Sequence, residues 1–133
     1  MNKDRVAIIG SGNWASALSM ILGKNVRKYK CFENEIKMWV YEEMIDGRKL
    51  TDIINTEHEN VKYLPGHKLP ENVIAVPDIL EVVKDANCLV FCIPHQFLPK
   101  TLQQIKHHVL PDTYAISCIK GVDHDENGKL RLI

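Results

Sequence analysis

The most informative part of the chain for predicting its fold is Val6-Ala7-Ile8-Ile9-Gly10-Ser11-Gly12-Asn13-Trp14-Ala15. Its apolar run is typical of a buried parallel strand, which the Gly10-Ser11-Gly12 triplet closes with a tight turn. Helical spacing of apolar residues begins at once, and Gly23 is predicted to stop the helix. We expect the apolar face of this helix to consist of Trp14, Ala17, Leu18, Ile21 and Leu22.

Strands and helices alternate along the rest of the chain. Further strands are predicted at residues 36–41, 73–76, 88–93 and 114–119. Helices are predicted around residues 50–54, after the capping pattern of Asp78 and Glu81, and over residues 97–105. The alternation predicts an α/β fold of the Rossmann type, in which a doubly wound, mainly parallel sheet carries helices on both faces. We expect a single domain over residues 1–133.

Two segments are not explained by the alternation of strands and helices. A polar loop with Pro65-Gly66 and Pro70 precedes the third strand, and its length indicates either a function or an insertion. At the other end, Leu130-Arg131-Leu132-Ile133 begins an apolar pattern that the chain does not continue. We therefore expect the domain to be truncated at its C-terminus.

Charge and hydropathy exclude several classes of protein. Lys plus Arg and Asp plus Glu both number 17, so no net field favours nucleic acid or an anionic membrane as the main partner. With 45% hydrophobic residues the chain has enough apolar surface to fold. No apolar stretch approaches the roughly 20 residues that span a bilayer, and the N-terminus lacks a signal-peptide pattern. We expect an intracellular, cytoplasmic protein.

The cysteines and histidines do not predict a metal site. The cysteines lack paired C-x-x-C spacing, and cytosolic thiols are usually reduced. The histidines of the loops show no H-x-x-x-H grouping, so each is interpreted as an ordinary loop residue. The residues considered are Cys31, Cys88, Cys92, Cys118, His58, His67 and His95.

The glycine turn predicts a dinucleotide site, because Gly10 to Ala15 fits the pattern G-x-G-x-x-G/A. In that pattern the first glycine permits the turn and the second lets the backbone approach a pyrophosphate. Ala15, at the third position, is small enough for close helix packing. The anion would lie at the helix N-terminus, whose unpaired N–H groups attract negative charge. The alternative is a plain tight turn without a ligand.

The end of the second strand bears on the choice of cofactor. Tyr41, Glu42 and Glu43 stand there, where an acidic residue would hold the ribose hydroxyls and repel a 2′-phosphate. This arrangement favours NAD over NADP, and Tyr41 could cover the adenine. Alternatively, the two glutamates are only solvated charges at the end of a strand.

Lys120 follows the fifth strand at the edge where ligands of an open parallel sheet gather. A lysine at that edge can hold an anionic or carbonyl-bearing substrate. The alternative is an ordinary surface lysine.

With these residues in view, the chain resembles the eukaryotic cytosolic NAD-dependent glycerol-3-phosphate dehydrogenases over essentially its whole length. The long loop is more specific to that family than the glycine turn is. In the long loop the match runs from His58 to Pro70 and leaves out Glu59. The other matching stretches are Gly10 to Trp14, Met38 to Glu43, Pro94 to Phe97 and Ile119 to Asp123.

The resemblance implies a Rossmann domain from enzymes that reduce dihydroxyacetone phosphate with NADH to sn-glycerol 3-phosphate, as cytosolic homodimers. By the same resemblance, Lys120 contacts the substrate and Tyr41 and Phe97 flank the cofactor. The pyrophosphate would be wrapped by the residues of the glycine turn, which are Gly10, Ser11, Gly12, Asn13, Trp14 and Ala15.

The chain also departs from the family. Ala15 replaces a usual glycine and Tyr41 a phenylalanine, and the first change adds a methyl group where helix and cofactor crowd. The family's helical C-terminal domain, which supplies the main catalytic lysine, is absent, so we expect no catalytic residue here and little activity from this chain alone. The competing hypotheses are a non-catalytic module that binds a dinucleotide or a partner protein and, much less favoured, an S-adenosylmethionine methyltransferase.

Overall fold

The computed structural model describes residues 2–132. Met1 and Ile133, the two ends of the predicted domain, lie outside the described residues, as do the side chains of Val122, Asp123 and Leu132. The elements are β1 (Val6–Ile9), α1 (Asn13–Lys28), β2 (Ile36–Trp39), β3 (Met44–Ile45), β4 (Arg48–Lys49), α2 (Leu50–Glu57), β5 (Val73–Val76), α3 (Ile79–Val83), β6 (Cys88–Phe91), α4 (Leu98–Ile105), β7 (Tyr114–Ser117), β8 (Val122–His124) and β9 (Leu130–Leu132).

A five-stranded parallel sheet confirms the predicted architecture. Its strand order is β5-β2-β1-β6-β7, and every neighbouring pair is parallel. Ile8 in the central strand lies opposite Met38 on one side and Val90 on the other. The order reverses direction next to β1, so the carboxyl end of β1 is the switch point at which such sheets bind ligands.

Helices cover both faces of the sheet, as the sequence predicted. Val6 and Ile8 face one core, which includes residues of α1 and α2. Ala7 and Ile9 face the other core, which includes residues of α3 and α4. Because successive side chains of a strand point to opposite faces, a four-residue apolar strand serves both cores at once.

The predicted face of α1 was only partly right, because Leu22 packs against the core but Trp14 and Ile21 do not. Gly23 does not stop the helix, which continues to Lys28, and Trp14 and Ile21 are 50% and 55% exposed. A Cβ on Gly23 would lie 2.8 Å from Cγ of Pro70, so the helix approaches the loop too closely for any larger side chain. The buried stripe consists instead of small residues, which are Ala15, Ser16, Ser19, Gly23 and Val26.

Three predicted strands end two residues earlier than expected, at Trp39, Phe91 and Ser117. Each strand makes one further ladder bond before the chain turns away. The backbone N–H of the next residue donates to the neighbouring strand, at N···O distances of 3.0 Å for Val40, 2.9 Å for Cys92 and 2.8 Å for Cys118. The difference is therefore one of boundaries.

Local details at the helix starts and at the end of the chain differ as well. Asp78 caps α3 as predicted, accepting from the N–H of Leu80 at 3.0 Å, whereas Glu81 forms an ion pair with Lys84 at 2.9 Å instead of completing a capping box. The segment Leu130–Leu132 forms a strand, which pairs antiparallel with β8. The β3–β4 hairpin was not predicted.

Candidate cofactor-binding site

The two glycines of the turn have different physical roles. Gly10 has a φ of 132°, and a Cβ there would lie 2.5 Å from the carbonyl oxygen of Cys92, so the fold itself requires glycine. Gly12 has an ordinary φ of −71°, and a Cβ there would meet no atom within 4 Å. The packing of the protein does not require a glycine at position 12. The open space beside it is what a closely approaching pyrophosphate needs.

The N-terminus of α1 also suits an anion. Gly12 is the N-cap, no side chain caps the helix, and its first turn carries no acidic residue. The first N–H groups of a helix lack partners within it, and their partial positive charge attracts an anion. Ala15 is 1% exposed and its methyl group packs in the core between α1 and the sheet.

Three exposed aromatic residues follow strands of the sheet. Trp14 is 50% exposed after β1, Tyr41 is 76% exposed after β2, and Phe97 is 55% exposed after β6. The strands are parallel, so their carboxyl ends meet at one edge. Large apolar surfaces left open at the ligand-binding edge are suited to stacking on flat rings.

Lys120 lies next to the glycine turn. Its Nζ is 5.8 Å from the centroid of the Trp14 ring, within the range of a cation–π contact. The structure thus brings together the predicted substrate lysine and the predicted cofactor turn, which are more than a hundred positions apart in the sequence.

Glu42 and Glu43 are not merely solvated charges. Glu42 caps α2, because its Oε1 accepts from the N–H of Thr51 at 3.2 Å and its Oε2 from the Thr51 hydroxyl at 2.5 Å. Glu43 pairs with Nζ of Lys62 and accepts from the hydroxyl of Tyr63 at 2.8 Å. The hydrogen bond from Lys62 holds the pKa of Glu43 below its ordinary value. Protein groups already bind the carboxylate oxygens of both glutamates, so a contact of either one with a ribose remains a prediction.

The long loop supports the glycine turn, a role that was not predicted from the sequence. Nδ2 of Asn13 donates to the carbonyl oxygen of Tyr63 at 3.0 Å, and the side chain of Asn60 is fully buried against Ser11 and Ser16. The unusual length of the loop was the only signal available, and length does not identify which residues make contact.

Burial raises the pKa of the Cys92 thiol, which follows β6 beside Gly10, to about 12. Over residues 2–132, leaving out the side chain of Asp123, no three His, Cys, Asp or Glu side chains are arranged to hold a metal ion. Within that same range, every helix is too short or too polar to traverse a bilayer.

The fold and its switch point define a Rossmann-type domain, the class that carries dinucleotides in oxidoreductases. Residues 5–133 match the family model of the NAD-dependent glycerol-3-phosphate dehydrogenase N-terminus. The chain therefore belongs to the NAD-dependent glycerol-3-phosphate dehydrogenases.

Individual relatives agree with this family. The chain is 54% identical to the cytoplasmic glycerol-3-phosphate dehydrogenase (NAD+) of Bos taurus over 133 residues, which is 100% of this chain and 38% of the relative. It is 57% identical to the glycerol-3-phosphate dehydrogenase 1-like protein of Xenopus tropicalis, over 97% of this chain and 36% of the relative. The solved glycerol-3-phosphate dehydrogenase of Saccharomyces cerevisiae superposes with a TM-score of 0.92 at 47% identity, covering 98% of this chain and 37% of that one.

Proposed function

We propose that this chain binds NAD(H) at the carboxyl edge of its sheet, as the cofactor-binding part of a cytoplasmic glycerol-3-phosphate dehydrogenase. The single observation that carries the proposal is the open flank of Gly12 at an uncapped helix N-terminus. The backbone there offers N–H donors to a pyrophosphate without a basic side chain. The matched family and the cytoplasmic names of the relatives support the same assignment.

The proposed role of each residue follows from the position of its side chain. Trp14, Tyr41 and Phe97 would flank the cofactor with their exposed rings. The carboxylates of Glu42 and Glu43 lie near the end of β2 and would disfavour a 2′-phosphate, hence NAD over NADP. Residues Gly10, Ser11, Asn13 and Ala15 complete the turn around the pyrophosphate.

The proposed reaction of the family is hydride transfer between NADH and dihydroxyacetone phosphate, giving sn-glycerol 3-phosphate. Lys120 would attract the anionic substrate to the nicotinamide side of the turn. Hydride transfer requires the ketone held about 3–3.5 Å from the donor and a proton source for the developing alkoxide. Lys120 alone does not meet both needs, so we expect the 133-residue chain to bind NADH without turning it over. A homodimer is a prediction only for full-length members of the family.

The test is a fluorescence titration of the purified chain with NADH. A valine at position 12 fits the extended backbone and the empty flank, yet fills the space for the pyrophosphate, so Gly12→Val should fold and lose NADH binding. Lys24→Val, on the exposed outer surface of α1, is the control and should bind as the unmodified chain does. A folded Gly12→Val protein with unchanged NADH affinity would refute this site.

The same samples then separate binding from catalysis. Dihydroxyacetone phosphate is added to the NADH-saturated chain while NADH absorbance is followed. A constant absorbance agrees with a binding domain that lacks a proton donor. Steady consumption that Lys120→Ala abolishes would show instead that Lys120 suffices for turnover.

A further inference from the structure

The side chain of Asn60 is held in one orientation by its surroundings. It is fully buried, and its Nδ2 donates to the carbonyl oxygen of Ser11 and to Oγ of Ser16, both at 2.9 Å. Its Oδ1 accepts from the N–H of Tyr63 at 3.2 Å. A carboxylate of the same shape would place an acceptor against the Ser11 carbonyl. Only an amide satisfies all three contacts.

The carbonyl oxygen of Ser11 accepts the short bond from Asn60 at 2.9 Å and a longer one from the Ser16 hydroxyl at 3.4 Å, and its direction sets where the next N–H points. The Ser11–Gly12 peptide is planar and trans, so its C=O and N–H point in opposite directions. Asn60 draws the Ser11 carbonyl into the protein interior, which turns the Gly12 N–H away from the core. The flank of Gly12 on the outside of the turn is the open space described above.

The loop that carries Asn60 is itself anchored to both halves of the candidate site. The carbonyl oxygen of Tyr63 accepts from Nδ2 of Asn13 in the first turn of α1. The hydroxyl of Tyr63 and the ammonium of Lys62 bind Glu43 after β2. The loop therefore ties the glycine turn to the end of the second strand, and Asn60 is its buried contact with the turn.

We propose that Asn60 is a positioning residue for the cofactor, holding the Ser11–Gly12 peptide so that the Gly12 N–H faces the pyrophosphate. This inference rests on the proposed function, because it names the group that orients one donor of that site. With the peptide reversed, the Ser11 carbonyl would face the anion and repel it. Asn60 thus acts through Ser11 and does not itself touch the cofactor.

Asn60→Asp tests the proposal, because it keeps the shape and removes the two donors. We expect its NADH affinity to fall at least about tenfold. Asn55→Asp is the matched control, since the part-buried Asn55 amide also bridges two backbone groups, the N–H and carbonyl of Ala75 at 2.7 and 3.0 Å, on the edge strand β5 instead of at the turn. Asn55→Asp should lose stability and keep its NADH affinity. Equal affinity losses in the two variants would overturn the positioning role.

A second readout works without bound NADH. The amide resonance of Gly12 in a ¹H–¹⁵N spectrum of the ligand-free protein should move in Asn60→Asp and stay in place in Asn55→Asp. If the unmodified chain does not bind NADH, the proposed function fails while this spectrum still decides the role of Asn60. An unmoved Gly12 resonance, or unchanged NADH affinity, in a folded Asn60→Asp protein would overturn the inference. If Asn60→Asp does not fold, Asn60→Ser takes its place in both measurements with the same expected outcomes.

Discussion

At Gly10 and Gly12 the same residue type is required for different reasons, and the two reasons are separable by experiment. Gly10→Ala brings a Cβ against the Cys92 carbonyl at a positive φ, so we expect the unfolding free energy to fall by about 1–3 kcal/mol. Gly12→Ala should cost less, about 1 kcal/mol at most from the poorer N-cap. Urea denaturation of both variants provides the measurement. A larger loss for Gly12→Ala would contradict the assignment.

The thiols should differ in reactivity because their burial differs. Cys31 is exposed, whereas Cys88 is buried and Cys92 half-buried, and burial raises the pKa of Cys92 to about 12. The thiolate is the reactive form, so Cys92 should resist alkylation near neutral pH. Peptide mass analysis after brief iodoacetamide treatment should find Cys31 modified and Cys92 intact. Equal modification of the two in the folded protein would contradict this prediction.

On the scale of one element, α2 depends on a cap supplied from outside the helix. Both carboxylate oxygens of Glu42 bind Thr51 in the first turn. We expect Glu42→Ala to lower the unfolding free energy by about 1 kcal/mol, and Glu42→Gln by less, because the amide keeps one acceptor. Thermal and urea denaturation measure the effect. No loss of stability in Glu42→Ala would mean that the cap contributes nothing.

The stability that Glu43 contributes by binding the loop from His58 to Asn72 should depend on pH. Because Lys62 lowers the pKa of Glu43 in the folded state, the stabilisation is present above the ordinary value of 4.5 and is lost as the pH falls through the lowered one. The stability difference between the unmodified chain and Glu43→Gln should therefore shrink as the pH is lowered from about 7 to about 3. Urea denaturation across that range tests the sign. A difference that grows on acidification would contradict it.

On the scale of the whole molecule, α1 packs against the segment that enters β5. Gly23→Ala would normally favour a helix, yet its Cβ would lie 2.8 Å from the rigid ring of Pro70 and 3.1 Å from Val73. We expect the clash to outweigh the helix preference of roughly 1 kcal/mol, so the variant should be less stable. A more stable Gly23→Ala protein would show that the loop moves aside at little cost.

Local patterns explain why the fold was predictable. Patterns a few residues long predict the strand at residues 6–9, the turn Gly10-Ser11-Gly12 and the later strands. The alternation of strands and helices then restricts the sheet to a few possible topologies. The same argument failed for α1. Its hydrophobic spacing placed Trp14 and Ile21 inside, whereas close packing selected small residues for the buried face.

Short-range periodicity and backbone preference were enough to predict the five strands of the parallel sheet, the helices between them and the position of the glycine turn. The contacts of Asn60, Glu42 and Glu43, and the approach of Lys120 to Trp14, depend instead on tertiary packing. Asn60 meets Ser11 across 49 positions, and Tyr63 meets Glu43 across 20. A hydrogen bond between such distant residues arises when the elements that carry them pack together, and no local pattern in the chain specifies it.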